Sequence, residues 1–288
     1  DISVIANKFY DEKQHLTEFQ EKPKAIFVAG QPGAGKTKAA NLVKAELKEL
    51  GGYLPVDADR MREELPTGGI VYPSEQTQAD AGKLVEVLRA RLIKERRNFF
   101  EEGTFRNSEA VKQSMSYLKS QGYQIEMIAV AANFEQSLSG IFERYEGQIA
   151  MGSKSPRLVP VDYHQQAFDG FTKTFQEAAD LFDRVRVINR DGQEIFDSQK
   201  SANTQTADGA LLSGRKMNIQ DWQEVQSTWD YVIESAKQRG NAREQYMADI
   251  TVHKNRISAA LRADKFKPDG MTERPQTATT DKQRIKIK

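Results

Sequence analysis

The stretch Ala25-Ile26-Phe27-Val28-Ala29-Gly30-Gln31-Pro32-Gly33-Ala34-Gly35-Lys36-Thr37 decides the fold. Its first five residues form an unbroken apolar run that stops at glycine, the pattern of a strand buried on both faces of a parallel sheet. The last eight match G-x-x-x-x-G-K-[ST]. Each fixed position has a physical reason. The glycines let the backbone curl so that successive N–H groups point at phosphate oxygens. Lys36 can reach the β- and γ-phosphates, and the Thr37 hydroxyl is placed to ligate Mg²⁺. A helix starting at about Gly35 adds its positive N-terminal dipole. On the order of 0.01 chance matches are expected in a chain of this length. The loop therefore reads as a nucleotide-phosphate site built by residues 30–37.

Working outward, Lys38–Leu50 has Ala39, Leu42, Val43 and Leu47 near helical spacing, and Gly51-Gly52 closes it. Tyr53–Val56 is a second short strand and ends at Asp57-Ala58-Asp59. Pro66–Pro73 reads as a loop, with Ser74 as the cap of a long helix to about Arg97 whose apolar face is Leu84, Val85, Leu88 and Leu92. Asn98–Glu102 is a third strand, cut by Gly103. Ser108–Ser120 is a helix, Tyr123–Ala131 a fourth strand and Phe134–Ala150 a helix. Met151–Pro160 is a loop, Val161–Phe182 a helix and Arg184–Ile188 a fifth strand. Glu194–Phe196 returns as a hairpin arm. Strands alternating with helices predict an α/β fold, a parallel sheet with helices on both faces.

The chain divides on this reading into a helical lead-in at 1–22, with Leu16 and Phe19 packing on the domain, a P-loop kinase-like domain at 23–198, a linker at 199–218 and a helical extension at 219–288. In the extension Trp222, Val225, Trp229, Val232 and Ile233 repeat on one face, a break falls near Gly240, and the basic tail reads as disordered. The Trp222/Trp229 stripe reads as packing. His15, His164 and His253 lack metal-ligand spacing and read as structural or surface residues.

Composition sets limits on all of this. Of 288 residues, 42 are Lys or Arg and 41 Asp or Glu, a net charge of +1 that argues against a nucleic-acid binder working by bulk electrostatics. There is no cysteine, which excludes a disulfide scaffold, a thiolate metal site and a Cys nucleophile, and which suits a cytoplasmic protein. The longest uncharged apolar runs fall far short of the roughly 20 residues of a membrane span. Asp1 reads as a processing boundary, with further residues expected upstream.

A nucleotide loop by itself does not choose between kinase, GTPase and motor. No strand ends in the Asp-Glu pair of a motor ATPase, and no Asn-Lys-x-Asp guanine reader is present. A small-molecule phosphotransferase remains. It needs a carboxylate at a strand's C-terminal end to accept a hydroxyl proton. Asp57 and Asp59 both follow the second strand, and spacing alone leaves them equal. Glu102-Gly103-Thr104-Phe105-Arg106 ends the third strand, where the glycine permits a turn presenting Glu102, Thr104 and Arg106 to one cleft. Arg144 and Arg157 flank the loop Gly147–Pro160, a lid able to bring cations over transferring phosphates.

Together, Gly30–Thr37, Asp57-Ala58-Asp59, Glu102-Gly103-Thr104-x-Arg106, Arg144-Tyr145-Glu146 with Arg157, and Asn189-Arg190-Asp191-Gly192 resemble the zeta toxin family of bacterial toxin–antitoxin systems. The resemblance implies ATP- and Mg²⁺-dependent phosphorylation of a sugar hydroxyl on a UDP-activated amino sugar, UDP-N-acetylglucosamine, with loss of cell-wall precursor and growth arrest. It implies that Lys36 and Thr37 bind phosphate and Mg²⁺. Asp59 is then the base, Glu102 and Thr104 contact the sugar nucleotide together with Asp57, and Arg106, Arg144 and Arg157 neutralise phosphate charge. It also implies a small helical antitoxin that covers the nucleotide site. Phe105 stands where that motif commonly has glycine, which is expected to reshape the acceptor pocket. Other readings are a P-loop kinase for a nucleoside, antibiotic or dinucleotide, or a catalytically silent nucleotide-binding module, against which an intact Lys36, Asp59 and Arg157 argue.

Overall fold

A computed structural model describes residues 1–65, 74–153, 156–200 and 205–262, with the side chains of residues 59, 74, 75 and 78 outside that description. The expected loop 66–73 and the basic tail lie outside the described residues.

Six strands form one sheet: β1 (Lys24–Ala29), β2 (Leu54–Val56), β3 (Phe99–Gly103), β4 (Gln124–Ala131), β5 (Arg184–Asn189) and β6 (Glu194–Asp197). Their spatial order is β2-β3-β1-β4-β5-β6. The first five run parallel, and β6 returns antiparallel to β5 as the hairpin arm. β1 is central, flanked by β3 and β4. The chain leaves it first towards β2 and later crosses to β4, so its C-terminal end is a switch point, where open α/β sheets bind ligands.

The period-2 pleat divides the apolar run of β1 between two cores. Ala25, Phe27 and Ala29 face a cluster completed by α1 (Ile2–Lys13), α4 (Ser74–Lys94), α5 (Ser108–Ser120) and α7 (Val161–Ala178). Ile26 and Val28 face the opposite side, against Ala39, Ala40, Val43 and Leu47 of α2 (Lys36–Glu49). Helices cover both faces, as the alternation of elements predicts. α3 (Ala58–Glu63) is a short helix directly after β2.

A third apolar cluster contains no strand residue. It joins α6 (Phe134–Ala150) to α9 (Ile219–Arg239) and α10 (Glu244–Arg262) through Leu138, Ile141, Phe142, Trp222, Trp229 and Val232, among others. Trp229 is fully buried, and the periodic face read over 219–233 is buried throughout.

Three expectations need correction. Leu16 and Phe19 do not pack on the domain; they are 46% and 59% exposed. Residues 17–20 run extended and are held by their backbone. Thr17 and Phe19 bridge to Gly52 and Arg97, and Glu18 N–H donates to the Gly51 carbonyl at 2.8 Å. The lead-in anchors instead through Ala6, Phe9 and Tyr10. Leu42 points outward, because the buried stripe of α2 runs 39/40, 43, 47. The segment taken as a linker contains a helix, α8 (Ala207–Gly214), capped by the Thr206 hydroxyl, with Ala210 and Leu211 buried in the sheet core. A Ser/Thr/Gly-rich composition looks flexible, but one Ala-Leu pair facing the strands is enough to dock a turn of helix.

Candidate active site

The phosphate loop joins β1 to α2 and rests on the first turns of α6. Gly33 has φ +75° and Gly35 φ +88°, the left-handed region in which a side chain is strained. A Cβ on Gly33 would also collide with the Ser137 carbonyl of α6. Glycine is thus required at 33 for conformation and for close approach alike. Gln31 is fully buried. Its amide donates to the Ala132 carbonyl at 2.9 Å and to Ser137 Oγ at 3.2 Å. Ser137 Oγ lies 2.8 Å from Nε2 of buried His164 on α7. Arg190, in the turn after β5, donates from Nη1 to the Gly33 carbonyl at 2.8 Å. The loop is therefore held directly by α6, by the end of β4 and by the β5 turn, with α7 behind Ser137.

Lys36 opens α2 and folds back over the loop. Its Nζ donates to the carbonyls of Gly30 and Gln31 at 3.0 and 3.2 Å. Burial pushes its ammonium pKa down to about 8; Glu102 opposes this, and Arg144 and Arg157 reinforce it. It stays mostly protonated at pH 7, and its charge senses three further groups, on β3, on α6 and in the lid loop. Thr37, next along, is exposed on the first turn of α2.

β3 pairs with β1 so that Glu102 stands beside Val28, and the Gly30 N–H donates to the Gly103 carbonyl at 3.2 Å. The neighbouring Glu101 points to the other face, where Arg89 holds it at 2.6 and 2.7 Å. Burial raises the Glu101 carboxyl pKa and Arg89 opposes the rise. The strand pleat thus sends Glu101 into structure and leaves Glu102 exposed at the phosphate-loop edge.

The residues singled out in the sequence divide as follows. Lys36, Glu102, Arg144 and Arg157 come together at the C-terminal end of β1. Arg144 is exposed on α6; Arg157 lies within the lid loop, its N–H donating to Gln148 Oε1 at 2.7 Å. Thr104 is half-buried just past β3. Asp57 is half-buried between β2 and α3, its carbonyl accepting from Met61 N–H at 2.9 Å. Asp59 lies in the first turn of α3, and its side chain is outside the described residues. Arg106 stands apart, its guanidinium 4.7 Å from the centre of the Tyr163 ring.

Phe105 turns its ring inward. It has φ +49°, the backbone of a glycine position. Its ring packs edge-on against Phe27 at 5.6 Å, covering Gly103, so it joins the sheet core. His15 is exposed, and His253 stacks on Trp229 at 5.2 Å. Burial pushes the pKa values of His164 and His253 down to about 4, with Lys36 and Arg256 respectively adding to the effect. Sequence reasoning missed the work of Arg190 and Ser137. Arg190 lies in the Asn189–Gly192 motif, the one available signal; Ser137 carries none. No helix among the described residues is long and apolar enough to cross a membrane, and none of them form a cluster of three or more His, Asp or Glu able to hold a metal.

A model of the family described as zeta toxin matches residues 7–201, about two thirds of the chain. The chain belongs to the zeta toxin family. Its relatives include the toxin PezT of Streptococcus pneumoniae serotype 4, 28% identical over 215 residues covering 72% of this chain and 82% of PezT. Toxin zeta of Enterococcus hirae is 25% identical over 207 residues, covering 68% and 72%. Among solved structures, one from a study of the PezAT toxin–antitoxin system of S. pneumoniae superposes with a TM-score of 0.70 at 22% identity, covering 81% of this chain and 96% of the other. The complex of AvrRxo1-ORF1 with ORF2, solved with ATP, contains a chain that matches at a TM-score of 0.57 and 15% identity, covering 87% and 88%. These likenesses show the fold, that of a P-loop kinase; the family membership shows a toxin of toxin–antitoxin type.

Proposed function

We propose that this zeta-family toxin is an ATP-dependent kinase of a UDP-activated amino sugar, UDP-N-acetylglucosamine, and that it arrests growth by withdrawing that cell-wall precursor. The observation that carries the reading is the convergence of Lys36, Arg144, Arg157 and Glu102 at the sheet's switch point. Three cations surround the place where phosphate charge would sit, and one carboxylate stands at its acceptor edge. A silent nucleotide module has no use for cations brought in from α6 and the lid.

The residues present fit a nucleoside triphosphate. The positive-φ glycines curl the loop so that its N–H groups can line an anion, and the α2 N-terminus adds its dipole. Lys36 would exchange its two loop carbonyls for phosphate oxygens, and Thr37 would hold Mg²⁺ together with them. When bound, ATP supplies the transferable phosphoryl group and Mg²⁺ screens its charge. Arg144 and Arg157 stabilise the charge spread over the phosphoryl oxygens in the transition state. Arg106, packed over Tyr163, is the remaining cation assigned to phosphate charge. Glu102 and Thr104, with Asp57, orient the sugar nucleotide, and Asp59 accepts the hydroxyl proton. A partner antitoxin would cover this cleft; that toxin PezT belongs to the PezAT toxin–antitoxin system, and that AvrRxo1-ORF1 is solved in complex with ORF2, support a partner.

The test is mass spectrometry of the full chain incubated with ATP, Mg²⁺ and a panel of UDP-sugars. The expected result is a UDP-N-acetylglucosamine product one phosphate heavier. Slow ATP hydrolysis alone across the whole panel would sink the reading.

A further inference from the structure

Helix α6 presents two stripes to two different parts of the molecule. Ser137, Gly140 and Arg144 follow i, i+3, i+7 spacing, so they share one face. That face meets the phosphate loop. The Ser137 carbonyl lies against Gly33, and a Cβ at Gly140 would come within 2.9 Å of Arg190 and 3.3 Å of the Gly33 carbonyl. Glu135, Leu138, Phe142 and Glu146 form the second stripe, at i, i+3, i+7, i+11. It meets α9 and α10.

Two buried carboxylates pin this second stripe at its ends. Glu135, in the first turn, accepts from Arg256 of α10 at 2.7 Å. Glu146, in the last turn, is 2% exposed. One of its oxygens accepts from Arg239 of α9 at 2.8 Å and from the Tyr246 hydroxyl of α10 at 2.7 Å. The Tyr246 ring lies between Phe142 and Tyr145, at 5.9 and 5.7 Å. Apolar packing alone lets a helix turn or slide by small amounts at little cost. A desolvated carboxylate with two donors tolerates no such freedom, since losing either donor leaves a buried charge undersatisfied. At about 100° per residue, Glu146 and Arg144 point to nearly opposite sides of α6. Fixing one fixes the direction of the other.

We propose that the C-terminal helical pair is a brace for the phosphate site: Arg239 and Tyr246, by holding Glu146, act as positioning residues that aim Arg144 at the γ-phosphate. This rests on the kinase reading. The toxin-family match ends at residue 201, so the brace lies in the part of the chain that match leaves out.

The experiment uses the full chain, with calorimetric titration of ADP and ATPγS in Mg²⁺ buffer, and reads the preference for ATPγS over ADP. Arg144→Ala is expected to lower that preference about fivefold. Arg239→Met is expected to lower it by a similar factor in the wild-type background and hardly at all in the Arg144→Ala background, the non-additivity of residues acting through one another. Tyr246→Phe, which keeps the ion pair, should show a smaller loss of the same kind and serves if Arg239→Met does not fold. A loss of equal size in both backgrounds marks a merely structural role and overturns the brace. So does an undiminished preference in Arg144→Ala, or in both brace variants. A wild-type chain that binds neither nucleotide overturns the kinase reading and the brace together, so the two failures are told apart.

Discussion

The phosphate loop and helix α6 touch along several residues, yet they are built on opposite principles. The loop is local: eight consecutive residues carry its chemistry, and its curl is set by the positive-φ glycines 30, 33 and 35. α6 is relational: its residues matter through partners about 30 to 120 positions away in sequence, Ser137 through Gln31 and His164, Glu135 through Arg256, Glu146 through Arg239 and Tyr246. A catalytic site of this kind needs both. The loop supplies donors for phosphate, and the helix decides where the loop and Arg144 sit relative to each other.

The comparison breaks if changes in the loop and its acceptor side fail to act on chemistry. Asp59→Asn should lower phosphoryl transfer about a thousandfold with ATP affinity kept, because only the proton acceptor is lost. Steady-state transfer together with nucleotide titration checks this, and normal turnover would move the base to Asp57 or elsewhere. Lys36→Ala should cost transfer about a hundredfold or more, and cells expressing that variant should grow. Killing that persists unchanged would mean that toxicity does not run through the loop.

On the helix side, Trp229→Ala opens a cavity in the cluster that α6 shares with α9. It should destabilise the fold by about 3–5 kcal/mol in a denaturant melt. A loss below about 1 kcal/mol would show the C-terminal helices to be loosely docked.

Two smaller effects sharpen the boundary between the regions. Lys36 has its pKa pushed down to about 8, so it loses its charge as pH rises through that value. ADP affinity should therefore fall about tenfold between pH 7 and pH 9. Lys36→Arg should remove that dependence, since a guanidinium stays charged. A flat profile in the wild type would place the ammonium away from the phosphates.

Gly140→Ala sets propensity against packing. Alanine favours a helix interior by about 1 kcal/mol over glycine, but its methyl group would crowd Arg190 against the Gly33 carbonyl. The expected outcome is an unchanged or higher melting temperature with KM for ATP raised about fivefold. An unchanged KM would show that the contact carries no information to the loop.

Legibility in the sequence followed the same divide. The phosphate loop, the five parallel strands and the hairpin arm announce themselves through glycine placement and short-range apolar pattern, and the sheet has them where the residues say. Glu102 and the two lid arginines were reachable because they lie at a strand end and around a loop. Leu16, Phe19 and Leu42 were misjudged because hydrophobicity says nothing of direction; extended backbone held by Gly51, Gly52 and Arg97 turns Leu16 and Phe19 outward. α8 was hidden by a composition rich in small residues. Phe105 carries a glycine-like backbone with its ring packed on Phe27, a placement that motif comparison alone does not supply. Arg190 and Glu146 sat inside motifs whose other members drew attention. Their roles depend on partners that only the folded chain supplies.

On the proposed function, the charges gathered around Lys36 serve phosphoryl transfer to a sugar nucleotide. The most direct measurement follows γ-labelled ATP with UDP-N-acetylglucosamine and Mg²⁺ in wild-type and Lys36→Ala protein. Label is expected in a UDP-sugar product with the wild type and at background levels with Lys36→Ala. Label appearing only in free phosphate with the wild type, or equally in product with both proteins, would contradict that function.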